Sequence, residues 1–218
     1  MTKVTIFLLS LSMLFLVTAL YASVEPFISN ETVEAVGKKY GANAKKRVNK
    51  LIELMNALKN KSEAKKLIIV NKFFNQVPYK SDMVVWGQKD YWATRMEFLG
   101  KDMGDCEDYA TAKYFTLVQL GVSPKKLFLT YAKYKKTNTA HMVLTYFKNP
   151  KAVPLVLDSL VKKIVPATKR PDLVPVYSFS GEELYLAKQK GMGKKVPSAL
   201  KKNKKWAKLM NDVQRNKI

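Results

Sequence analysis

Between residues 31 and 77, Val48, Leu51, Ile52, Met55 and Leu58 recur at the three-to-four-residue spacing of one helical face, with lysines on the other. This stretch therefore reads as helical. Ser62 is placed to cap a second helix carrying Leu67, Val70, Phe74 and Val77. That helix is expected to end at Pro78, because the residue before a proline is pushed toward extended geometry. Thr94-Arg95-Met96-Glu97 has the spacing of a capping box, and Gly100 is positioned to close a single short turn. From residue 106 to 119 the apolar positions Ala110, Tyr114, Leu117 and Val118 share a helical face, with Gly121 as the stop signal. Beyond Pro124 the pattern changes to alternating and β-branched segments at 127–134, 141–147, 155–160 and 174–179. The turns between them fall at 135–140 and 149–153. Helices first and strands later predict an α+β domain with an antiparallel sheet.

The first three residues and the apolar run from 4 to 20 have the layout of an export signal, with residues 1–22 removed and the mature chain starting near Ser23. The run is longer than a usual signal core and Leu20 fits poorly three places before the cut, so a retained inner-membrane anchor is the alternative. About 195 residues then remain, enough for a single domain, 23–218, with a full core. One cysteine cannot form an internal disulfide, which suits a bacterial periplasm. The net charge of +22 raises nucleic acid as a partner, but the excess is almost all lysine, with few arginines for bidentate contacts, and this argues against it. Residues 186–218 hold eleven Lys and Arg against Asp212 alone, a contribution of +10. That basic tail suits contact with an anionic membrane surface or an acidic partner, while a generally lysine-rich proteome accounts for the charge more simply.

The lone thiol sits in Gly104-Asp105-Cys106-Glu107-Asp108, at the mouth of a predicted helix. Free backbone N–H groups and the helix dipole favour thiolate there, which makes Cys106 a candidate nucleophile; a buried cysteine acting as an inert small hydrophobe is the alternative. Three acids beside the sulfur oppose thiolate formation unless a metal ion or an imidazolium compensates. Helix capping by Asp105, with Glu107 and Asp108 complementing the dipole, also accounts for them. His141 and Asp158 follow in the order of a base and its orienting carboxylate. If Lys148 pairs with Val153 across the second turn, Asp158 lies opposite Val143 on the face that carries His141. Diagonal neighbours on one face are near enough for an imidazole and a carboxylate to bond, and a one-residue slip would separate them.

Asp90-Tyr91-Trp92-Ala93-Thr94, Glu97-Phe98-Leu99, the Gly104 to Asp108 block, His141, and Asp158 in Leu155-Val156-Leu157-Asp158 together resemble the bacterial transglutaminase-like cysteine proteinases, of the LapG type. The resemblance covers roughly residues 30 to 210. It implies a papain/transglutaminase-like core with N-terminal helices and a cysteine at a helix N-terminus packed against an antiparallel sheet. It also implies a periplasmic, calcium-dependent endopeptidase that clips the N-terminal region of a large surface adhesin at a double-alanine site and so controls biofilm release. The regulator so implied is an inner-membrane cyclic di-GMP receptor. By position Cys106 would be the nucleophile, His141 the base and Asp158 its orienting carboxylate, with Asp105, Glu107 and Asp108 as calcium ligands. Arg95 departs from the proline expected after the capping threonine in many relatives. Trp92 or Trp86 would shape the cleft or lend an indole N–H. A transglutaminase-type acyl transferase and a non-catalytic basic binding protein at the inner membrane are the alternatives.

Overall fold

The computed structural model describes residues 28–181, 183–188, 190–196 and 203–218. The expected export signal lies outside them. The first helices follow the apolar periodicity: α1 (Asn30–Tyr40), α2 (Ala42–Leu58) and α3 (Glu63–Phe74). Ser62 caps α3 as expected, its hydroxyl accepting the Lys65 N–H at 3.4 Å. The apolar periodicity does not show the break at Gly41, whose φ of +91° is open to glycine and ends α1. It also carries α3 three residues too far, since the helix stops at Phe74.

A short α4 (Asp82–Trp86) leads to α5 (Arg95–Lys101). Thr94 and Glu97 form the expected capping box, Thr94 Oγ1 accepting from the Glu97 N–H at 3.2 Å and the Glu97 carboxylate accepting from the Thr94 N–H at 2.9 Å. Asp102, at φ +55°, closes this helix rather than Gly100. Gly100 serves a different end, because a Cβ there would stand 2.4 Å from the Tyr40 ring. Arg95 is buried and bonds to Thr116 at 2.9 Å and Gln119 at 3.0 Å, tying α5 to α6 (Cys106–Gln119).

Among the described residues six antiparallel strands follow: β1 (Leu127–Tyr134), β2 (Thr139–Tyr146), β3 (Leu155–Leu157), β4 (Val165–Pro166), β5 (Leu173–Ser180) and β6 (Glu183–Leu186). Their order is β4-β3-β2-β1-β5-β6. Leu129, Met142, Leu144, Leu157 and Phe179 join the main core with α6, while Ala132, Val143, Val156 and Leu173 form a second cluster. The β2–β3 register pairs Leu144 with Leu157 and Thr145 with Val156, as the turn geometry predicts. The third strand is shorter than expected because Asp158 leaves the ladder, its carboxylate accepting the Leu160 N–H at 3.0 Å in a local turn.

Part of the basic stretch is folded against the domain. Residues 204–214 form α7 (Lys204–Gln214), which buries Trp206, Leu209 and Val213 and leaves lysines outside. The Trp206 indole N–H donates to the Gly181 carbonyl at 2.9 Å. No helix among the described residues is long and apolar enough to cross a membrane.

Candidate active site

Cys106 is the first residue of α6, with Asp105 as the N-cap. The turn before it is tight: Lys80 N–H donates to the Gly104 carbonyl at 2.8 Å, and a Cβ on Gly104 would lie 2.4 Å from the Asp108 carboxylate. Glycine is required for this approach. The Asp108 carboxylate accepts from Ala93 N–H at 2.9 Å and Asp105 N–H at 3.3 Å, which pins the segment before α5 to the start of α6.

Cys106 as a residue is partly exposed, although its thiol is largely surrounded by protein. It donates to Glu107 Oε2 at 3.2 Å and lies by the Tyr79 hydroxyl and the backbone N–H of Met142 on β2. Burial, then the charges of Glu107 and Asp105, push its pKa well above that of an ordinary thiol, against the Met142 N–H. In this arrangement the group is a thiol, as the neighbouring acids lead one to expect.

His141 starts one residue before Met142, and its Nε2 lies 2.7 Å from Asp158 Oδ1. Both side chains are buried. Burial pushes the Asp158 pKa up, but the hydrogen bond and charge of His141, the Leu160 N–H and Arg170 outweigh it and hold the group down at about 2. Arg170 Nη1 reaches Asp158 Oδ2 at 2.6 Å, and the Asp158 carbonyl accepts from Asn75 at 2.9 Å and Lys113 at 3.1 Å. Burial brings the Lys113 pKa down to about 7, against the pull of Asp158.

The carboxylates divide differently from the sequence expectation. Asp105 stands in two groups whose ligand atoms lie within 4.8 Å of one another, one with Cys106 and Glu107, the other with Asp82 and Asp108. Asp82, on α4, has no local motif to announce it, and only the pairing of the segment before α4 with Gly104, ahead of α6, brings it in. Burial and then Asp105 raise its pKa to about 6. Burial first, then neighbouring carboxylates, also raise Glu107 and Asp108. Asp82 Oδ1 and Asp105 Oδ1 are buried without a hydrogen-bond partner among the described residues. Crowded carboxylates with unpartnered oxygens and raised pKa values fit a hard dication, which takes several oxygen ligands and would relieve the repulsion.

Sequence reasoning also missed Arg170, Lys113 and Asn75 around Asp158. Trp92 donates its indole N–H to Asp90 at 3.1 Å and stacks on Phe179 with centroids 6.3 Å apart. Trp86 lies against Tyr91 with centroids 4.6 Å apart, so it packs the segment leading into α5, whereas Trp92 packs toward β5.

The sequence profile described as bacterial transglutaminase-like cysteine proteinase matches residues 38–172. Among solved structures, LapG of Legionella pneumophila is 41% identical over 86% of this chain and 99% of its own, with a TM-score of 0.73. An EGTA-treated form of that protein matches at 43% identity over the same shares and the same TM-score. Its calcium-bound form matches at 41% identity over 83% of this chain and 97% of its own, with a TM-score of 0.70. No curated protein sequence matches the chain.

Proposed function

The chain belongs to the bacterial transglutaminase-like cysteine proteinase family, and from that premise we propose that it is a calcium-dependent endopeptidase with Cys106 as nucleophile, His141 as base and then acid, and Asp158 as the carboxylate that orients the imidazole. One observation carries this reading. The sulfur at the start of α6 rests against the Met142 N–H, one residue from a histidine whose Nε2 is held by a buried carboxylate. With Nε2 engaged, Nδ1 is the ring nitrogen that serves the sulfur.

In the reaction His141 takes the thiol proton and the sulfur bonds to the substrate carbonyl carbon. The imidazolium proton then passes to the amine as the C–N bond breaks. Water, losing a proton to His141, cleaves the thioester and the thiol is restored. The Cys106 backbone N–H, unpaired within the first turn of α6, is the default donor to the oxyanion.

Asp105, Glu107 and Asp108 would hold calcium, with Asp82 as a fourth carboxylate. The ion supplies positive charge beside the sulfur, offsetting the acids that keep the thiol protonated. The LapG structures with calcium and after EGTA support this choice of cation by similarity.

The proposed substrate is the N-terminal region of a large surface adhesin, cut at a double-alanine site in the periplasm, with biofilm release as the consequence. An inner-membrane cyclic di-GMP receptor is the proposed regulator. Residues 1–22 would direct export or anchor the protein, and the basic stretch 186–218 would meet a membrane surface. The test is incubation of the purified protein with the N-terminal part of a secreted adhesin from the same genome, with calcium, with chelator, and beside Cys106→Ala. Cleavage that needs calcium and Cys106 is the expected result, and cleavage by Cys106→Ala at the normal rate overturns the assignment. Added primary amine separates hydrolysis from acyl transfer, because crosslinked product in place of fragments would favour the transferase.

A further inference from the structure

Of thirty-nine Lys and Arg residues only four are arginine. Arg47 forks onto the Leu99 and Gly100 carbonyls at 2.7 and 2.9 Å, and Arg95 joins Thr116 and Gln119. In a chain so rich in lysine, these arginines stand where a planar fork of donors is needed.

Arg170 is the third. It is 4% exposed and lies just before β5. Its Nη1 donates to Asp158 Oδ2 at 2.6 Å, while Nε and Nη2 clamp Asp172 at 2.9 and 2.7 Å. Held at both edges, the guanidinium cannot turn. The Asp158 carboxylate is then fixed from both sides, with Oδ2 on Arg170 and Oδ1 accepting from His141 Nε2 and the Leu160 N–H. The titratable and charged groups facing Asp158 are His141 from β2, Lys113 from α6, and Arg170 with Asp172 behind it. An ionised carboxylate only accepts, so the ring nitrogen that meets it must carry the hydrogen.

We propose that Arg170 is a positioning residue of this site: by holding Asp158 ionised and in one plane, it sets His141 in the tautomer with hydrogen on Nε2 and a lone pair on Nδ1. The inference rests on the catalytic reading above for its consequence in turnover, but its structural content is independent of that reading. Without the guanidinium, Oδ2 is a buried acceptor without its partner, and the carboxylate is free to turn toward Lys113 or to take a proton and become a donor itself. Either change lets the imidazole sample the other tautomer.

His141 is the only histidine, so ring-15N-labelled, untagged full-length protein gives one imidazole to follow by NMR. Wild type should hold the Nε2–H tautomer. Arg170→Met should mix the two tautomers and lower kcat on the order of a hundredfold, as misplacing a reacting group does, with KM changed less than about twofold. Arg170→Lys, which keeps the charge and one donor, should recover part of both. Asp172→Asn, at a half-exposed site, should move the tautomer in the same direction by less and stands in if Arg170→Met fails to fold. A tautomer unchanged in the variants that fold, whatever happens to the melting temperature, would overturn the proposal. An Nε2–H tautomer that depends on Arg170, in a wild-type protein that cleaves nothing, would instead remove the catalytic reading and leave this one standing.

Discussion

Two largely buried groups of charge flank Cys106, and they are built on opposite plans. On the β-sheet side Lys113, Asp158, Arg170 and Asp172 alternate in sign, and both carboxylate oxygens of Asp158 have fixed donors. On the other side Asp82, Asp105, Glu107 and Asp108 are all acids, and among the described residues the hydrogen bonds their carboxylates accept come from backbone N–H groups and the thiol. The first holds Asp158 down at about 2, and the second raises Asp82 to about 6. A saturated network is preorganised to hold a geometry, whereas an unsatisfied one of single sign is organised to receive a counter-charge.

The largest effect should come from breaking the saturated side. Asp158→Asn keeps the shape but offers His141 a donor as readily as an acceptor, so single-turnover cleavage should fall on the order of 10³–10⁴-fold, with calcium binding intact by calorimetry. Next is the unsatisfied side. Asp82→Asn removes one of the crowded charges, so calcium affinity should weaken by about tenfold or more, while the calcium-free protein should melt a few degrees higher, each degree reflecting a few tenths of a kcal/mol. A lower melting temperature in that variant without calcium would mean the four acids do not repel one another.

The pH dependence has opposite signs on the two sides. Asp82 binds its proton more tightly folded than unfolded, so the stability it lends is present below its unfolded pKa of about 4 and is lost as pH rises through about 6. Asp158 is the reverse: its contribution is present above about 4 and is lost as pH falls toward about 2. Calcium-free protein should therefore lose stability in thermal melts between about pH 4 and 7, and added calcium should flatten that decline. The smallest effect is a control outside both groups. Ser62→Ala removes the α3 cap and should cost about 1 kcal/mol in denaturant unfolding, leaving calcium affinity unchanged.

The legible parts of this chain are those where each residue's role depends on near neighbours. The cap at Ser62, the capping box at Thr94 and Glu97, and the α6 boundaries follow from side-chain spacing within a few turns. The β2–β3 register followed from one turn, and it brings His141 to Asp158 across seventeen positions. The break at Gly41 was not legible, because the apolar spacing runs through it and only its φ of +91° marks it. Of the acid cluster, the three residues beside the cysteine stood out, while Asp82 did not; in the group around Asp158, Arg170 did not stand out either.

By itself, then, the amino-acid order determined which faces are apolar, where helices start, how one hairpin pairs, and that a thiol, an imidazole and three acids are present at chemically meaningful spacings. Packing alone decided that Glu107 turns to the sulfur while Asp82 joins Asp105 and Asp108, that Arg170 locks Asp158, and that the lysine-rich C-terminal stretch contributes a docked helix. The reason is range. Capping and pleating act over one to four residues and leave a periodic trace, but the convergence of charges from distant segments has no period, and burial in a common core is what gives it a geometry.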